Sequence, residues 1–127
     1  MVYIIMGVLG SGKTTVGQAL AERINGEFRD ADDYHPQSNR EKMSQGIPLT
    51  DLDRKPWLTL VKAVIDCDIA AGNNSVMACS ALKESYRKLL MSGSNEIKLV
   101  YLKGTREVMS FVARLMMAAS IMVPSFK

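Results

Sequence analysis

Apolar residues recur along this chain in short runs and helical stripes that alternate from one end to the other. Val2-Tyr3-Ile4-Ile5-Met6 is an unbroken β-branched and aromatic run, as a buried strand requires. Val16, Ala19, Leu20 and Ile24 then return at helical spacing, and Asn25-Gly26 supplies a stop signal. Glu27-Phe28-Arg29 is a short, weak strand candidate. Ser38 is placed to cap a short helix running through Met43, which Gly46 and Pro48 close. Thr50 or Asp51 caps the longest helix, with Pro56 near a first turn that tolerates a missing N–H. In it Trp57, Leu60, Val61, Val64, Ile65 and Ile69 form one apolar face, ended by Gly72-Asn73. Ser75 to Cys79 predicts a third strand, about Leu82 to Met91 a polar helix, and Ile97 to Leu102 a fourth strand. Thr105 is then placed to cap a helix holding Val108, Phe111, Val112 and Leu115.

The order β-α-β-α-α-β-α-β-α predicts the α/β class: a parallel sheet with right-handed crossovers and helices on both faces. In such sheets ligands collect beyond the carboxyl ends of the strands. A length of 127 residues with no Pro, Gly or Ser linker predicts one domain over 1–127. Apolar content of 47% and charged content of 23% fit a globular protein rather than a disordered one. The net charge of +3 is spread along the chain, so no nucleic-acid partner is expected. Cys67 and Cys79 sit in apolar contexts without metal-ligand spacing, and are expected to be core thiols in a reducing compartment. The first apolar run has no basic leader before it, and the stretch from Leu115 to Phe126 is too short to span a bilayer. A cytoplasmic location with no membrane partner is the expectation.

Chemistry enters with Gly7-Val8-Leu9-Gly10-Ser11-Gly12-Lys13-Thr14, which fits the phosphate-loop pattern G-x-x-x-x-G-K-[ST] between a strand and a helix. The glycines let backbone N–H groups turn inward around a polyphosphate, and the helix adds its positive dipole end. Lys13 can reach the β- and γ-phosphates, and Thr14 can offer its hydroxyl to Mg²⁺, with Thr15 beside it. Chance matching on a glycine-rich turn is the competing reading, and the flanking elements argue against it. The motif alone does not choose among GTPases, motor ATPases and small kinases. No N-K-x-D string occurs, which counts against a regulatory GTPase. The third strand does not end in the acidic residue that usually holds Mg²⁺ in motor ATPases.

The missing carboxylate has an obvious supply in Asp30-Ala31-Asp32-Asp33-Tyr34-His35-Pro36, a loop at a strand's end. In an extended segment Asp30 and Asp32, two apart, point to one side. One could order metal-bound water while the other takes a proton from an attacking hydroxyl. Solvated turn chemistry is the alternative for such a run. Arg40 and Arg54 follow on the segment that wraps the acceptor in kinases of this size, and their forks would suit its carboxylate. His35, the sole histidine, is read as a turn or substrate-contact residue rather than a metal ligand.

Several strings together resemble the gluconokinases, thermoresistant-type gluconate kinases of the phosphate-loop small-kinase group. They are Gly7 to Thr14, Asp30 to Pro36, Asn39-Arg-Glu-Lys-Met43, Gly46-Ile-Pro-Leu49, Asp53-Arg-Lys-Pro-Trp-Leu58 and Ala78-Cys-Ser-Ala-Leu-Lys83 with Tyr86-Arg87. The resemblance runs from about residue 3 to residue 115. It implies a three-layer phosphate-loop kinase fold and MgATP-dependent phosphorylation of D-gluconate to 6-phosphogluconate by a cytoplasmic homodimer. It further implies Asp32 as base, Asp30 as organiser of metal-bound water, and Arg40 and Arg54 as grips on gluconate. Ser80, Lys83 and Arg87 would line the same pocket, His35 would touch substrate, and Arg114 would serve the nucleotide.

Past Arg114-Leu115 the chain departs from the family. There a mobile lid with a further arginine and a Gly-His-Phe-Met-Pro string is followed by a fifth strand and a helix. Here the residues are Met116-Met-Ala-Ala-Ser-Ile-Met-Val-Pro-Ser-Phe-Lys127. The fold is therefore expected to lack the last strand and a complete lid. Two alternatives to gluconate phosphorylation follow: a truncated, catalytically impaired nucleotide-binding protein, or a kinase of another small hydroxy acid such as shikimate.

Overall fold

The computed structural model describes residues 1–7, 12–80 and 83–102. The elements are β1 (Val2–Gly7), α1 (Lys13–Arg23), β2 (Glu27–Asp30), a 3-10 turn (Ala31–Tyr34), α2 (Gln37–Ser44), α3 (Asp51–Ala70), β3 (Ser75–Cys79), α4 (Glu84–Met91) and β4 (Ile97–Leu102). The expected helix after Thr105, the lid and any further strand lie outside the described residues.

Four strands pair in the order β2-β3-β1-β4, every neighbour parallel. Met6 stands beside Cys79 and Tyr101, and Asp30 beside Ala78. Side chains alternate across the sheet. Ile5 and Val76 meet Val16, Leu20 and Ala21 of α1 on one face. Ile4, Met6, Met77 and Cys79 meet Trp57, Val61 and Ile65 of α3 and Leu90 of α4 on the other. That makes three layers, as expected. A Cβ at Gly17 would stand 2.4 Å from the Phe28 ring, so a glycine lets α1 lie close against β2. On the far face Arg29 of β2 donates to both oxygens of buried Asp68 on α3, at 2.9 and 3.0 Å.

Three expectations fail locally. Ser38 does not cap α2; the Pro36 carbonyl receives the Asn39 and Arg40 N–H groups, so the helix starts earlier. Leu60 is 47% exposed, because Trp57, Val61 and Ile65 already fill the sheet-facing side of α3. Cys67 is exposed, not a core thiol: at about 100° per residue it sits roughly 200° around the helix from buried Ile65. Cys79 is buried as expected.

Candidate active site

Because all four strands run the same way, Gly7, Asp30 and Ser80 arrive at one rim of the sheet. Beyond Gly7, Val8, Leu9, Gly10 and Ser11 lie outside the described residues. Gly12 turns the chain into α1 at φ +87°, a left-handed conformation that glycine adopts without strain. Among the described residues no side chain caps α1, and its first turn holds no acidic residue. Its leading N–H groups and positive end are thus left for an anion. Thr14 and Thr15 are exposed there. Lys13 folds back so that its Nζ donates to the Gly7 carbonyl at 2.7 Å, across the mouth of the loop.

Two strand spacings, on the order of 10 Å, separate Asp30 from β1 at the same level of the sheet. Asp30 accepts the Asp32 N–H at 3.0 Å and so starts the 3-10 turn. This corrects the extended geometry expected for the pair: Asp32 lies inside a turn, and alternation along a strand does not aim its carboxylate. The turn is held from two directions instead. Trp57 Nε1 donates to the Ala31 carbonyl at 2.7 Å from α3. Arg40 donates to the Asp33 and His35 carbonyls at 2.8 and 3.2 Å from α2. Part of the Arg40 fork is therefore spent on backbone. Asp32 and Asp33 remain exposed.

His35 is 9% exposed and stacks on Trp57, with ring centroids 4.4 Å apart and planes 14° from parallel. Its Nδ1 lies 3.2 Å from Asn39 Nδ2, and Asn39 Nδ2 also donates to the Asp53 carbonyl at 2.9 Å. Burial holds the imidazole below its usual proton affinity; Asp32 opposes that shift, and Arg40 and Arg54 add to it. Three expected site residues thus share one neighbourhood around His35. Arg54 is half-buried and makes no side-chain hydrogen bond or ion pair among the described residues.

Lys83 is elsewhere engaged. Its Nζ meets both oxygens of Asp51, at 2.7 and 2.6 Å, and Tyr86 donates its hydroxyl to the same carboxylate. Lys83 and Tyr86 hold Asp51 below the usual carboxylate range. Ser80 is exposed at the end of β3. Arg87 borders a hollow of about 460 Å³ with Glu84, Met91 and Leu99, on the β4 side of α4. Arg114 lies outside the described residues. Asn39, Asp51 and Trp57 had no site role in the sequence reading. Their spacing gave one usable signal, since Asn39 follows His35 by four residues at a helix start.

The chain matches a family model described as Shikimate kinase over residues 9–122. It is 54% identical over 94 residues to a probable gluconokinase of Xenopus tropicalis, which covers 74% of this chain and 50% of the relative. It spans about half the length of the curated relatives it matches first. Among solved structures, a sugar kinase from Janibacter sp. superposes with a TM-score of 0.75 at 34% identity, over 99% of this chain and 79% of that one. A gluconokinase from Sinorhizobium meliloti gives a TM-score of 0.70 at 41% identity, over 96% and 67%.

Proposed function

The chain belongs to the gluconokinase family of phosphate-loop kinases, and on that premise we propose that it phosphorylates D-gluconate from MgATP. One observation carries the reading: a helix start without a cap among the described residues follows β1, an acidic turn follows β2 two strands away on the same rim, and Arg54, with no ion pair among the described residues, lies by the turn. The products are 6-phospho-D-gluconate and ADP.

A gluconate hydroxyl oxygen bonds to the γ-phosphorus as the bond to the bridging oxygen breaks, and that electron pair leaves with ADP. The hydroxyl proton passes to Asp32, whose exposed carboxylate is free to receive it. Lys13 leaves the Gly7 carbonyl for the phosphates, and Gly7 through Thr15 surround them. Thr14 and Asp30 are hard oxygen donors of the kind Mg²⁺ takes one or two at a time. The ion supplies charge neutralisation on the phosphates. Arg54 grips the gluconate carboxylate, Arg40 and His35 floor the acceptor pocket, and Ser80 closes its far side, joined by Lys83 and Arg87 once these leave Asp51 and the hollow beside β4. Arg114 completes the nucleotide side. We place the enzyme in the cytoplasm as a homodimer; among the described residues no helix is long and apolar enough to cross a membrane.

The test is ADP release by the purified chain with MgATP and a panel of acceptors. Release that depends on D-gluconate, with 6-phosphogluconate formed in equal amount, is the expected result. Preference for shikimate would change the substrate, and ATP binding without any acceptor-dependent turnover would reduce the protein to a binding role.

A further inference from the structure

We propose that Asn39 is a positioning residue that fixes one tautomer of His35, leaving its Nε2–H as a donor to an oxygen of the acid acceptor. The acceptor half of this inference rests on the gluconate reading; the tautomer does not.

The argument is one of hydrogen count. Asn39 is 2% exposed, and its Nδ2 carries two hydrogens. The Asp53 backbone carbonyl, 2.9 Å away, can only accept, so it takes one of them and fixes which way the amide faces. The second hydrogen meets His35 Nδ1 at 3.2 Å, and that nitrogen must therefore carry a lone pair. A neutral ring with Nδ1 bare has its proton on Nε2. Stacking on Trp57 holds the ring plane, so the donor is fixed in direction as well as in identity.

Among the described residues, three charged groups act on the ring, and all three are groups proposed above to handle the acceptor. Asp32 comes from the 3-10 turn, Arg40 from α2 and Arg54 from α3. Protonating Nδ1 would set N–H against N–H and expel Asn39. The neutral state also serves Asp32. An imidazolium beside that carboxylate would pair with it and weaken it as a base. A neutral donor can hold an acceptor oxygen without that cost.

Because His35 is the sole histidine, ¹⁵N-histidine labelling of the full chain gives one pair of ring signals. At neutral pH and without ligand, Nδ1 should be pyridine-like and Nε2 pyrrole-like. Asn39→Ala should mix the tautomers and raise the ring's proton affinity toward the free value. Gluconate should move Nε2 more than Nδ1. His35→Gln, whose amide reaches the ε position, should keep gluconate affinity within about 3-fold, whereas His35→Asn should lose about 10-fold or more. ATP affinity should stay unchanged in both variants. A proton on Nδ1, a charged ring at neutral pH, ring signals indifferent to Asn39→Ala, or Gln no better than Asn would each overturn the proposal. Failure of gluconate to bind at all would sink the acceptor half with the gluconate reading, while the ligand-free signals decide the tautomer independently.

Discussion

Among the described residues Arg54 makes no ion pair although Asp51 lies one helical turn before it, because Lys83 and Tyr86 have already taken that carboxylate. A planar fork suits a carboxylate ligand in a way a lysine ammonium does not. Arg54→Lys is therefore expected to raise the KM for gluconate by about 10- to 100-fold, with the KM for ATP unchanged; steady-state kinetics checks it. Trp57 serves the acidic turn twice, through the Ala31 carbonyl and through the face it gives His35. Ala31 is fully buried, so losing the indole donor removes one of the hydrogen bonds its carbonyl accepts where water cannot replace it. Trp57→Phe should cost about 1–3 kcal/mol in denaturant unfolding and raise the KM for gluconate as well.

Among the described helices, α2 is the one that buries no apolar side chain; Asn39 is its sole buried residue. Polar contacts to the start of α3 hold it instead. Thr50 and Asp53 form a reciprocal capping box, and Lys42 pairs with the same Asp53 carboxylate at 2.8 Å. Thr50→Ala should cost about 1 kcal/mol of stability in denaturant unfolding. The Lys42 hydrogen bond, then the Thr50 backbone, hold Asp53 at about 2 against a usual 3.8. Its folded form resists protonation more than its unfolded form, so the stabilisation is complete above the unfolded value. It is lost as pH falls from about 4 toward about 2. Amide exchange in acid should show α2 loosening before the strands, and simultaneous loss would contradict this.

The same elements show what could be read beforehand. The strands β1, β3 and β4 came directly from largely apolar runs, buried almost throughout in β1 and β3 and interrupted by exposed Lys98 in the edge strand β4. The Asp32 turn did not, since its geometry depends on the Asp30 cap and on Trp57 from another element. Nor did the Asp51–Lys83 pair, whose partners are 32 residues apart with no local pattern to link them. Cys67 was misplaced because an apolar neighbourhood in sequence does not say which side of a helix faces the sheet.

At the scale of the molecule, parallel pairing does the assembling. It brings the end of β1, the end of β2 and the end of β3 to one rim, and two apolar layers hold the sheet rigid beneath them. Phosphate binding and acceptor handling then sit on different strands, so one should be separable from the other. Asp32→Asn tests that separation most directly, with ATP affinity and gluconate-dependent turnover measured on the same preparation. Turnover should fall by about 100-fold or more while ATP binds as in the parent chain. Turnover near the parent's level, or ATP affinity lost together with it, would contradict a rim that joins a phosphate cradle to an aspartate base.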